Sequence, residues 1–311
     1  MRLGLIGAGR WGKRYISTIC AMSDVELAYL ASSNPASKGL VADSCHVTAD
    51  WRDLISARDL DGIIIATPPH THMVIALAAI EAGLPVLIEK PLTLAIAEAK
   101  QIANAAVRCG VLVVVDHTHL YSPAYRELKQ RGKQLGALMG LQSCGSNWGP
   151  FRTDTPMLWD YAPHDVAMCI DLAGKTPAGW DAVVEKCMTT TEGSGAAIQL
   201  QLHFVGTVAQ IRVSNVDQDK NRWLEATYVG GKLRYDDLRE PKLTFIPANS
   251  SLPQEVSTAA TLPLTVVVQE FCEKIAAGMH SDPSLELGIR IVAILAAFDE
   301  KLNVSTLSAR N

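Results

Sequence analysis

The chain lacks long apolar runs, paired cysteines at metal-ligating spacing and an excess of basic charge, and each shortage removes a class of function. No stretch approaches the ~18 consecutive apolar residues of a membrane span, so the sequence reads as that of a non-membrane protein. The opening, Met1 to Gly7, is too short and too glycine-broken for a signal-peptide core, and the expected location is the cytoplasm. Lys and Arg number 28 against 32 Asp and Glu, a formal charge of −4, which leaves no surplus for nucleic acid or an anionic membrane. The seven cysteines are odd in number and form no Cys-x-x-Cys, which argues against a disulfide framework and against a metal site. They read as small buried hydrophobes in a reducing compartment.

What is present is ordinary globular chemistry: 48% apolar and 19% charged residues over 311 positions, or about two domains. Up to about residue 118 short apolar runs alternate with helical patterns. Runs at 2–7, 25–32, 60–67, 84–88 and 111–116 are predominantly apolar, as in strands buried on both faces of a parallel sheet. Helical patterns at 12–23, 71–82 and 95–108 separate them. This predicts a doubly wound α/β domain over 1–118. The second part, 119–311, changes period. Ile198, Leu200, Leu202 and Phe204 alternate with Gln199, Gln201 and His203, and Gly230-Gly231 reads as the two-residue turn of a hairpin. The stretch 247–263 reads as a loop, and helices are predicted at 264–277 and 285–302. The second domain is therefore expected to be α+β, with a mostly antiparallel open sheet whose half-buried face packs on a partner subunit.

Chemistry concentrates at the predicted strand ends. Gly7-Ala8-Gly9-Arg10-Trp11-Gly12 follows a strand and opens a helix, the context of a dinucleotide fingerprint. Gly7 allows the tight turn, Gly9 the approach of a pyrophosphate and Gly12 close packing of helix on strand. Arg10 and Trp11 lie within this turn, and the helix N-terminus faces the phosphates. The second strand lacks the acid that binds an adenosine ribose; it reads Ser32-Ser33-Asn34, with Lys38 beyond. Hydroxyl and amide donors in place of a carboxylate favour NADP over NAD, with Arg10 and Lys38 as sources of charge. Ser33-Asn34-Pro35 could instead be an ordinary turn, with NAD bound through other groups.

After the third strand comes Ala66-Thr67-Pro68-Pro69-His70-Thr71-His72. Thr67, Pro68 and His72 are placed beside the cofactor, and His70 reads as structural. Glu89-Lys90-Pro91 ends the next strand, where open α/β sheets bind ligands. Glu89 is counted with the cofactor residues. Lys90 is aimed to hydrogen-bond a substrate oxygen and stabilise its developing charge. Trp159-Asp160-Tyr161-Ala162-Pro163-His164-Asp165 sets an imidazole between carboxylates near a helix start, at Pro156 or at Pro163. That cluster suits general acid/base work, and equally a capping network.

Taken in order, the GAGRWG, ATPPHTH and EKP motifs and the D-x-x-x-H element of residues 160–164 resemble the glucose–fructose oxidoreductase / inositol dehydrogenase / MocA-like family. The segment 117–124 resembles its strand-to-helix crossover between domains, and the WDYAPHD wording is nearest the branch acting on nucleotide sugars. The resemblance implies hydride exchange between a nicotinamide and a secondary alcohol or ketone of a sugar, cyclitol or nucleotide sugar. It also implies a homo-oligomer. Lys90 then contacts the substrate hydroxyl and the nicotinamide, His164 is the acid/base and Asp160 its supporting carboxylate. Ser32 departs from the strand-end acid of NAD-preferring members. The contrasting reading is a non-catalytic dinucleotide sensor of the same fold, which would have no need of Lys90, Asp160 and His164 together.

Overall fold

The computed structural model describes residues 1–308. The chain forms two compact units, Met1–His117 with Leu264–Val292, and Thr118–Pro263 with the chain from Ala293 onward.

In the first unit, β1 (Arg2–Ile6), β2 (Glu26–Ala31), β3 (His46–Thr48), β4 (Gly62–Ile65), β5 (Val86–Glu89) and β6 (Val113–Asp116) make one sheet in the order β3-β2-β1-β4-β5-β6. Every pairing is parallel. Helices α1 (Arg10–Cys20), α2 (Trp51–Ile55), α3 (His72–Glu81) and α4 (Ile96–Cys109) connect the strands. The apolar runs are explained by this layering: Ile63, Ile64 and Ile65 are all fully buried, each contributing roughly 1.5–3 kcal/mol. The order reverses direction between β1 and β4, and ligands bind beyond the strand ends at such a switch point.

A cut at residue 118 leaves Leu264–Val292 with the second domain, yet this stretch packs with the first. A methyl on Gly62 of β4 would stand 2.9 Å from Ile275 and 3.1 Å from the Phe271 ring. Both residues lie on α7 (Pro263–Ala276). The Ser284 hydroxyl accepts from Val115 N at 2.9 Å. Apolar burial overrides chain contiguity here.

The second unit carries α5 (Pro123–Gly132), β7 (Leu138–Trp148), α6 (Met157–Ala173), β8 (Gly179–Thr190), β9 (Gly193–Phe204), β10 (Thr207–Ser214), β11 (Val216–Tyr228), β12 (Gly231–Asp236), β13 (Leu243–Pro247) and β14 (Gln254–Val256). The last helix, α8 (Pro283–Ser308), begins in the first unit and ends in the second. The sheet order is β14-β13-β12-β11-β7-β10-β9-β8, antiparallel except for β7 with β10. The hairpin turn is Val229-Gly230, one residue earlier than the double glycine predicts, because Gly231 already pairs with Tyr228. Gly231 sits at φ +145°, and a Cβ there would meet the Ile246 carbonyl oxygen at 2.4 Å. The expected loop 247–263 contains β14, which its polar composition hid. The cysteines are unpaired; Cys45, Cys144, Cys169 and Cys272 are buried, but Cys20, Cys109 and Cys187 are exposed, unlike the expectation.

Candidate active site

The glycine turn shows three glycines with three separate causes. Gly7 has φ +102°, and a side chain would strike the Ala66 carbonyl oxygen at 2.7 Å. A Cβ on Gly12 would lie 2.0 Å from the Gly7 carbonyl oxygen, so helix α1 can sit this close to β1 only without one. Gly9 is different: a Cβ there meets no protein atom within 4 Å. The protein's own packing does not require glycine at this position, whereas a ligand lying against the backbone would. Gly9 caps α1 without a side-chain hydrogen bond, and the first turn carries no acidic residue. The helix terminus thus keeps its partial positive charge for an anion. These features fit a dinucleotide pyrophosphate. Arg10 is exposed and Trp11 partly so, with the Arg14 guanidinium 4.7 Å from the Trp11 ring centre.

Past β2, Ser32 Oγ lies 2.8 Å from the buried Ser37 Oγ. Asn34 Oδ1 accepts from Ala36 N at 3.0 Å, starting the 3-10 helix Pro35–Leu40 that carries exposed Lys38. Ser33 and Asn34 are exposed. The strand end is therefore lined by hydroxyls and an amide, with no carboxylate among residues 31–38. Ser37, which the sequence reading passed over, braces Ser32 from below.

At the end of β4 the Thr67 and Thr71 hydroxyls lie 2.6 Å apart, and Pro68 precedes the short turn Pro69–Thr71. His72 corrects the expectation of cofactor contact. Its ring is fully buried, with Nε2 2.9 Å from the Thr67 carbonyl oxygen and Nδ1 3.1 and 3.2 Å from those of Pro91 and Leu92. Burial lowers its pKa, opposed by these carbonyls. His72 ties the β4 turn to the loop after Lys90, and its nitrogens are already engaged.

Glu89 also faces inward rather than toward a ligand. It is 4% exposed, and its Oε2 accepts from Lys90 N at 3.1 Å. In register across the sheet stands Asp116, fully buried, whose Oδ2 accepts from the Tyr15 hydroxyl at 2.6 Å. Burial pushes the Glu89 carboxyl well above its ordinary range, Asp116 adds to this, and the Lys90 charge opposes it. Lys90 is 7% exposed, unlike a solvated surface lysine. His117 follows at 2% exposure, and burial with the Lys90 charge lowers its pKa to about 3. Tyr15, Asp116 and His117 were not foreseen. The strand-end rule applied to β6 as well as β5 would have found two of them.

The second unit holds the other expected residues. Helix α6 begins at Met157, after Pro156, so Pro163 lies inside it. His164 is buried and Asp160, one turn earlier on the same face, is partly exposed. The His119 ring meets His164 edge to face at 4.8 Å between centres, and His119 Nδ1 lies 2.9 Å from the Tyr235 hydroxyl. Asp165, fully buried, pairs through Oδ2 with Arg222 Nη1 at 3.3 Å. Its carboxyl is raised by burial, with Arg222 opposing. Lys90 thus belongs to the first unit, while His164 and Asp160 belong to the second. Tyr235 and Arg222 come from strands far along the chain, and no local pattern marks them.

Comparison with known proteins agrees with this fold. Residues 1–117 match the Gfo/Idh/MocA family, described as an oxidoreductase family with an NAD-binding Rossmann fold. A candidate oxidoreductase of known structure from Magnetospirillum magnetotacticum is 40% identical, covering 96% of this chain and 99% of its own, with a TM-score of 0.89. The UDP-N-acetylglucosamine 3-dehydrogenase of Acidithiobacillus ferrooxidans is 25% identical over 98% of both chains, with a TM-score of 0.83. Inositol 2-dehydrogenase 4 of Saccharopolyspora erythraea is 33% identical over 180 residues, 53% of this chain and 52% of its own. The matched stretch thus spans about half the length of such curated relatives. With a six-stranded parallel sheet, the glycine turn and the second, mostly antiparallel sheet, the chain belongs to the Gfo/Idh/MocA family of oxidoreductases.

Proposed function

We propose that the protein is an NAD(P)-dependent dehydrogenase or reductase acting on a secondary alcohol or ketone of a sugar, cyclitol or nucleotide sugar. The observation that carries this is the cradle at Gly9, open where a side chain would stand and set at an uncapped helix N-terminus. The named substrates of the relatives, inositol and UDP-N-acetylglucosamine, supply the substrate class.

In this reading Gly7, Gly9 and Gly12 and the start of α1, with Arg10 and Trp11, hold the pyrophosphate. Ser32, Ser33, Asn34 and Lys38 hold the adenosine ribose and favour a 2′-phosphate, so that NADP is preferred. Thr67 and Pro68 flank the cofactor at the switch point. A bound nicotinamide supplies the hydride acceptor or donor. Lys90 polarises the substrate oxygen, His164 moves the hydroxyl proton, and Asp160 orients the imidazole. A homo-oligomer would form through the second sheet, on one face of which Val183, Gln199, Arg212, Cys144 and Trp223 stand in register across five strands. The unpaired cysteines agree with a reducing cytoplasm.

The test is a thermal-shift screen against NAD, NADP and a panel of cyclitols, sugars and nucleotide sugars, followed by reduced-nicotinamide absorbance with each binder. Binding of a nicotinamide dinucleotide together with turnover of one panel member is expected. Dinucleotide binding without turnover on any member would favour the sensor reading.

A further inference from the structure

We propose that Tyr15, Glu89 and Asp116 are positioning residues for Lys90, a buried carboxyl pair sharing one proton and presenting a single fixed negative charge to the ammonium. The inference deepens the reading of Lys90 as the group on the substrate oxygen, and rests on it.

The sheet register alone sets the two carboxyls together, since Glu89 and Asp116 are partners at the ends of neighbouring parallel strands. Both are buried. Two adjacent carboxylates in a low-dielectric site cannot both remain charged without strong compensation. Tyr15 from α1 and Lys90 from the end of β5 act on the pair, and His117 follows directly after β6, beside the Lys90 charge. Tyr15 is a neutral donor. His117 is neutral as well: it is buried beside the Lys90 charge, and neither ring nitrogen has a hydrogen-bond partner among the described residues. Among the described residues Lys90 is the cation whose charge acts on Glu89, and one proton on the two carboxyls balances that charge.

The hydrogen bonds decide which carboxyl keeps the proton. Asp116 accepts the short 2.6 Å bond from Tyr15, which favours its ionised form; the same hydroxyl also acts on Glu89, but as the smallest influence on that carboxyl. Glu89 accepts a longer 3.1 Å bond from the Lys90 amide, and burial with the Asp116 charge favours its acid form. Asp116 then carries the charge and Glu89 the proton. Tyr15 sits on the buried face of α1, one turn past Gly12. The helix that opens at the glycine turn therefore also fixes the carboxylate that holds Lys90.

The experiment compares Glu89→Gln, Asp116→Asn and Tyr15→Phe with the parent and Lys90→Ala. Four quantities are read on the full chain: kcat, substrate KM, Kd for reduced cofactor, and the rate at which acetic anhydride labels Lys90 without substrate, by mass spectrometry. Asp116→Asn is expected to lower kcat by about 10²-fold, the scale of a misplaced catalytic group, and to speed Lys90 labelling severalfold. Cofactor Kd should stay within about threefold, since phosphate contacts come from the glycine turn. Glu89→Gln preserves a neutral partner and should cost less than about tenfold, with Tyr15→Phe between the two. Equal losses for the Gln and Asn variants, or parent-like kcat and labelling in Asp116→Asn, would overturn the proposal. Should Asp116→Asn not fold, Tyr15→Phe decides: parent-like kcat and labelling rate overturn it. Lys90→Ala with native turnover would refute the role of Lys90, while the labelling asymmetry would still report on the carboxyl pair.

Discussion

The Tyr235 hydroxyl lies 2.9 Å from Nδ1 of His119, and the same imidazole meets His164 edge to face. Burial keeps the Tyr235 phenol protonated, and this contact fixes the orientation of the His119 ring. Replacing Tyr235 by Phe removes a buried hydroxyl that also acts on Ser122 and Asp237, with an expected loss of about 1–3 kcal/mol of stability. Turnover should fall by up to about tenfold, because His119 no longer buttresses His164. Urea unfolding and kcat check the two separately; a stability loss with native kcat would reduce the contact to packing.

Lys90→Ala is expected to lower kcat by about 10²-fold or more, and His164→Ala by about 10²–10⁴-fold. Both serve one proton-and-hydride step, so the double variant should lose less than the product of the single losses. Steady-state kinetics on a turned-over substrate measures all three. Near-native turnover in both single variants would return the assignment to another base, such as His119.

The glycine turn separates fold from binding. Gly12→Ala places a methyl 2.0 Å from the Gly7 carbonyl oxygen and should lower the melting temperature sharply. Gly9→Ala meets no protein atom and should cost at most about 1 kcal/mol through the cap. Its effect should appear in fluorescence titration with reduced cofactor, as at least about tenfold weaker binding. Native cofactor affinity in Gly9→Ala would count against the cradle.

Ser32→Asp sets a carboxylate where a 2′-phosphate would lie and gives the ribose hydroxyls an acceptor. The ratio of NADPH to NADH affinity should fall by at least about tenfold. Titration of both reduced cofactors against parent and variant reads this directly. NADH binding to the parent as tightly as NADPH would already exclude the preference.

His117 makes stability depend on pH. Its folded-state pKa, about 3, lies below the 6.5 of the unfolded chain, so the unfolded state takes up the proton first. Stability from this group is intact above 6.5 and is lost as pH falls toward 3, at up to about 1.4 kcal/mol per unit. Between pH 7 and pH 5, urea-unfolding free energies should drop about 2 kcal/mol more in the parent than in His117→Gln. Parallel pH curves would show that His117 titrates normally.

The sequence by itself determined the first sheet and its ligand end. Apolar runs such as Ile63-Ile64-Ile65 fit only strands buried on both faces. Gly7, Gly9 and Gly12 mark a backbone that must turn and be approached, and these are local signals within a few residues. The motifs that contain Lys90, Asp160 and His164 stood out in the sequence as well, their roles being what the family resemblance implies. Tertiary structure alone decided what surrounds them. Asp116 meets Glu89 because two strands adopt one register, Tyr15 reaches Asp116 from a helix 101 positions away, and Tyr235 meets His119 from β12. It also decided that His72 braces a loop and that Leu264–Val292 packs with the first unit. The physical reason is common to all of these. Burial, charge compensation and close packing depend on distances between residues remote in the chain, and periodicity and spacing record only neighbours.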